Sequence, residues 1–139
     1  MPFYFVIILL LVIISASIDA MNILDGKSID HKKESFEFGV YCIIISLSFY
    51  HFGPVKINFI LWILYCIFTT LIVRTGWFDF LLNVFRGKSP FYISKNADGN
   101  YTGTKESKYD DFLHKIKINA NYVRVISFVL SIIWFFYFK

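Results

Sequence analysis

Asp79, Asn83, Arg86, Asp110 and His114 are the polar residues whose types and spacing could do chemistry. On a helix with 3.6 residues per turn, Asp79, Asn83 and Arg86 share one face. Placed near headgroups, this cluster is the candidate for an enzyme acting on lipids, with Asp79 as the residue such activity would need. Asp110 and His114 also share a face at four-residue spacing. As metal ligands or an acid–base pair they would need a third partner, and His31 is the only other histidine expected on the same side of the membrane. A solvated helix face is the plainer reading of that pair. The triplet Gly87-Lys88-Ser89 has the letters of a phosphate loop. It lacks the earlier glycine and the strand, and Pro90 would break the helix that must follow. The expectation is therefore no catalytic site, no metal and no cofactor.

The elements that must position these residues are four apolar blocks, at about 2–18, 36–52, 57–73 and 122–138. The chain has 139 residues, 57% of them hydrophobic and 17% charged, with a mean hydropathy of +0.59. A soluble domain of this size buries only about 60–70% of its unfolded surface, too little to hide that much apolar area. The long blocks point to lipid as the covering medium. Each block lies near the short end of the spanning range, about 17–25 residues. Phe3, Tyr4, Tyr50, Trp62, Trp134 and Tyr137 crowd the block ends, where amphipathic rings favour the headgroup level. The predicted fold is an all-α integral membrane protein with four transmembrane helices, forming a single membrane domain over residues 1–139. A membrane-proximal amphipathic helix and a small hairpin-like cytoplasmic cap within 74–121 complete it.

Charge sets the expected topology. The loop at 19–35 holds Lys27, Lys32 and Lys33, and the segment 74–121 holds Arg74, Arg86, Lys88, Lys95, Lys105, Lys108, Lys115 and Lys117. The opposite side has Lys56 and Lys139. The positive-inside rule places loops 19–35 and 74–121 in the cytoplasm and both termini outside, a pattern that a bacterial inner (plasma) membrane suits. The rival is a cleaved signal peptide in the first block. No Lys or Arg precedes that block, and Ser15-Ala16-Ser17-Ile18-Asp19-Ala20 is a poor cleavage site. The net charge of +4 suits anionic headgroups rather than nucleic acid. Cys42 and Cys66 lie within apolar blocks and read as packing residues.

Small and weakly polar residues mark helix contacts in lipid, where hydrophobicity does not drive association. Gly39, Cys42 and Ser46 form one stripe, Asn58, Tyr65 and Thr69 a second, and Ser127 and Ser131 a third, with Arg124 one turn before. These stripes predict that the second, third and fourth blocks touch. Glu37 and Arg74 fall at similar depth on neighbouring antiparallel blocks and could form an ion pair; separate snorkelling is the alternative. No span carries a midplane run of ionisable groups, which disfavours transport.

Residues 76–86 put Trp77, Phe78, Phe80, Leu81, Val84 and Phe85 opposite the polar face. That is the pattern of a helix lying in the interface or packed on the bundle. Residues 91–104 suit a hairpin, and a further helix is expected after Ser107. The run Arg74…Phe78-Asp79…Asn83…Arg86-Gly87…Tyr92-Ile93, then Gly103-Thr104…Tyr109-Asp110, resembles small multi-pass membrane proteins of bacterial phage and prophage-type gene sets. Those share an F-D-x-x-x-N-x-x-R-G core followed by Y-I-G-T, which residues 94–102 interrupt here. The group has no assigned activity. The resemblance implies a structured cap built on Asp79, Asn83, Arg86, Gly87 and Asp110.

The leading functional expectation is a non-enzymatic protein acting through contacts with the lipid bilayer and with a protein partner or further copies of itself. It would be a phage- or mobile-element-linked accessory protein or an assembly subunit. The alternatives are a holin-like or pore-forming protein and a membrane immunity protein against a toxin. A lipid-acting enzyme is the most distant.

Overall fold

The computed structural model describes residues 2–27, 31–53, 57–90 and 119–138. Four helices make up this part of the chain: α1 (Pro2–Leu24), α2 (His31–Phe52), α3 (Phe59–Phe85) and α4 (Ala120–Tyr137). Three of them are long and apolar enough to cross a membrane, and α4 is apolar but shorter. Their outward faces carry many apolar side chains, including Leu10 and Ile14 on α1, Ile43 and Ile44 on α2, Leu64 and Leu71 on α3, and Ile133 on α4. The expected cap hairpin at 91–104, the helix after Ser107, Asp110 and His114 lie outside the described residues.

The helix starts follow local chemistry. Asn58 caps α3 through Oδ1, which accepts from the Ile60 N–H at 2.8 Å, and Asn119 caps α4 in the same way through Asn121 N–H at 2.9 Å. Asn is a favoured N-cap because its short carbonyl reaches an N–H that the helix leaves unpaired.

At the other ends, α1 and α3 close in the same way. The Lys27 N–H reaches Asn22 O at 2.8 Å and the Gly26 N–H reaches Ile23 O at 3.1 Å. The Lys88 N–H reaches Asn83 O at 2.8 Å and the Gly87 N–H reaches Val84 O at 3.0 Å. Gly26 and Gly87 have φ of 71° and 66°, the left-handed conformation this motif requires and a side chain resists.

α3 is the axis of the fold. It packs along α1 on one side and α4 on the other, while α2 touches α1 and α3 lightly. Tyr4 meets Thr70 and Ser15 meets Arg74, so α1 and α3 run parallel. Thr69 meets Trp134, Trp77 meets Ser131 and Asp79 meets Arg124, so α4 runs antiparallel to α3. The junctions from α1 to α2 and from α3 to α4 therefore share one end of the bundle, called here the loop end.

The expected break after Val73 does not occur. With 27 residues, α3 absorbs the separately predicted amphipathic helix and is about 40 Å long, against a hydrocarbon core of about 30 Å. Arg74 and Gly76, beyond the predicted end of the third block, are both built into the packing. Arg74 lies against α1 and α2 side chains, and Gly76 lies against the α4 backbone. Of the two placements expected for the apolar face, interface or bundle, most of it takes the second. Trp77 and Phe80 stand 4.5 and 5.1 Å from the Phe128 ring, and Leu81 joins the core, leaving Val84 and Phe85 exposed.

The aromatic belt is corrected at its centre. Tyr4 and Trp62 are fully buried rather than aimed at headgroups. Tyr4, Trp62, Tyr65 and Trp134 form a continuous ladder, with successive ring centroids 5.5 to 5.8 Å apart. The Trp62 indole donates to Ser46 O at 2.9 Å, fastening α2 to α3, and Tyr4 Oη shares a hydrogen bond with Thr70 Oγ1 at 3.0 Å. In lipid such bonds and close ring contacts carry association, because the tails are as apolar as the side chains.

Candidate functional site

Two polar arrangements occupy the loop end. The first joins α3 to α4. Asp79 Oδ2 and Arg124 Nε stand 2.6 Å apart, with the Arg124 side chain 12% and the Asp79 side chain 36% exposed. One turn earlier on α3, a Cβ added to Gly76 would stand 2.5 Å from Phe128 N and 2.8 Å from Ser127 C. No other residue permits so close an approach of two backbones. The Trp77 indole donates to Ser131 Oγ at 2.7 Å, and Ser131 in turn donates to Phe128 O at 2.7 Å. The Trp134 indole donates to Thr69 Oγ1 at 2.9 Å. Small residues make room here, and hydroxyls bind the two tryptophans across the seam.

The second arrangement is a cleft of about 380 Å³ between α1 and α2. Ser15 and Asp19 line it from α1, and Lys33, Glu34 and Glu37 from α2. Asp19 is only 1% exposed, and its Oδ2 has no hydrogen-bond partner. Behind the cleft stands Arg74. Its Nη1 donates to Ser15 Oγ at 3.2 Å, and its guanidinium carbon lies 3.8 Å from the Phe78 ring centre and 4.7 Å from that of Phe38. Asp19, Glu34 and Asp79 are the carboxylates whose fields act on it. An arginine lodged between two rings and a hydroxyl can stay charged inside a bundle, because cation–π and hydrogen bonding replace water.

The expected site residues divide between these places. Asp79 turns to Arg124 rather than joining Asn83 and Arg86 alone. Asn83 is buried and donates from Nδ2 to Pro90 O at 3.1 Å, folding the chain after α3 back on the helix. Arg86 is the α3 C-cap, followed by Gly87. Cys42 and Ser46 are buried on α2, whereas a Cβ on Gly39 would meet nothing within 4 Å. Asn58 caps a helix, and Tyr65 and Thr69 are buried in the α3 core. Ser131 is fully buried, and Ser127 contributes backbone to the Gly76 contact. Glu37 pairs with Lys33, 3.9 Å away on the same helix, and Arg74 is taken up by Ser15 and the two rings. Asp19 and Ser15 were not anticipated. Their signal was their spacing of four, which puts them on one helical face.

No protein-family model matches the chain, and neither does any curated protein or solved structure. The association with phage-type proteins has no support from these comparisons.

Proposed function

We propose that this chain is an integral membrane protein of four crossings that acts without catalysis, by holding a protein partner or further copies of itself. The proposed orientation places both loop-end connections in the cytoplasm and both termini outside, following the excess of Lys and Arg in loops 19–35 and 74–121. The observation that carries the reading is the unequal packing of the helices. α1, α3 and α4 are bound together by interhelical hydrogen bonds and close backbone contact, whereas α2 is a long apolar helix held to α3 by the Trp62–Ser46 bond, with most of its surface uncovered. A helix attached this lightly to its own bundle offers a face to another one.

That face includes Val40, Ile43 and Leu47, all exposed. Extraction of the full chain in mild detergent is expected to yield an assembly larger than the monomer, and Ile43→Trp is expected to shrink it while leaving helix content unchanged. A wild type that migrates as a monomer contradicts the proposal, as does an assembly indifferent to bulk on α2. Ser131 is unsuited to this test: it is bonded to Trp77 inside the subunit, so its replacement would disturb the fold first. Dye leakage on expression would shift the reading to a pore-forming protein, and protection of cells from a toxin would shift it to an immunity protein.

A further inference from the structure

The cleft between α1 and α2 has the features of a site for an amphiphile with a primary ammonium head. Its wall runs from Leu11 through Ile14 and Ile18 to Asp19, a climb of about 12 Å along α1 from apolar to acidic. Across it, Glu34 and Glu37 face the same opening, with Lys33 beside them. Asp19 lines the polar part and is 1% exposed; Arg74 balances its charge from behind, but its Oδ2 has no hydrogen-bond donor. A buried carboxylate oxygen with no donor is costly, and a ligand that brings an N–H⁺ group relieves that cost.

The geometry disfavours a bare metal ion. Among the described residues no three acidic, histidine or cysteine side chains converge closely enough to hold one. An ammonium on a short polar arm can instead enter beside Glu34 and Glu37 and, with a slight parting of α1 and α2, reach Asp19, while its substituent spreads towards Lys33. Hydrogen bonding also separates the candidate heads, because a primary ammonium donates three N–H groups and a trimethylammonium donates none. The cleft volume is within the usual range for small-molecule sites, about 300–1,000 Å³.

We infer that the α1–α2 cleft binds the headgroup of an aminophospholipid, its ammonium on Asp19 and the acids of α2, its phosphate towards Lys33 and its upper acyl chain along Leu11 and Ile14. This rests on the membrane reading above and adds a lipid class to it.

Native mass spectrometry of the full chain in detergent tests the inference, with dioctanoyl phosphatidylethanolamine, phosphatidylcholine and phosphatidylglycerol as probes and free ethanolamine as competitor. The ethanolamine lipid is expected to bind more tightly than the other two, and Asp19→Asn is expected to weaken it about tenfold or more. Glu37→Gln, at a half-exposed side chain paired with Lys33 along its own helix, is expected to weaken it less and to leave thermal stability unchanged. Equal binding of the three lipids overturns the inference, as does a preference that survives both substitutions. Displacement by free ethanolamine at the lipid's own concentration also overturns it, since the apolar wall would then contribute nothing. If the chain is absent from the membrane fraction, the membrane reading itself fails. If it is present there without a lipid preference, only this inference fails.

Discussion

Gly76→Ala is expected to destabilise the α3–α4 pair by about 2–3 kcal/mol, and Gly76→Val by more. Helix propensity alone predicts the opposite sign, because alanine is better than glycine in a helix interior by about 1 kcal/mol. Packing decides the outcome. The added methyl would stand 2.5 Å from Phe128 N and 2.7 Å from its Cα, and these are backbone atoms that cannot swing aside. Relief requires α4 to move outward, which stretches the Trp77–Ser131 and Trp134–Thr69 hydrogen bonds on the same seam. Thermal unfolding in detergent should show a lower midpoint, accompanied by faster proteolysis before Asn119. An unchanged or raised midpoint would mean that α4 does not approach α3 at this glycine.

The second large effect is expected at the ion pair. Removing one partner of a fully buried pair costs about 3–5 kcal/mol, and exposed pairs are worth about 0–1 kcal/mol. Arg124 is nearly buried but Asp79 is about a third exposed, so solvent screens part of the attraction. A double-mutant cycle with Asp79→Asn and Arg124→Gln is therefore expected to give a coupling of about 1–2 kcal/mol. Each single change should cost more than the coupling, since it leaves a charge in a poorly solvated seam. Independent, additive effects would show that the two side chains do not act on each other.

The long apolar runs made the helices themselves legible. Their residues had no alternative period or turn signals, and the observed helices contain every apolar block apart from its terminal residues. What sequence could not supply was direction. Trp62 and Tyr4 have the composition of interfacial residues, and only the helix rotation shows that they face Thr70, Ser46 and each other. Arg74 and Gly76 fall just beyond the predicted end of the third block. Their actual roles depend on Ser15, some sixty positions earlier, and on Phe128, some fifty later. Asp79 was legible as a structural acid on a polar helix face. Its partner Arg124 was visible as an isolated charge inside an apolar block, but pairing them required the antiparallel register of α3 and α4. Asp19 was hidden by position: it follows the last strongly apolar residue of the first block and so reads as loop, yet α1 continues five residues further.

The central claim is that the bundle crosses a membrane with both loop-end connections in the cytoplasm. Single cysteines at Ser28, Gly53, Asn100 and the C-terminus, in a chain lacking Cys42 and Cys66, can be probed on intact cells with an impermeant thiol reagent. The account predicts labelling at Gly53 and the C-terminus, and at Ser28 and Asn100 only after the membrane is opened. Labelling of Asn100 on intact cells would contradict it.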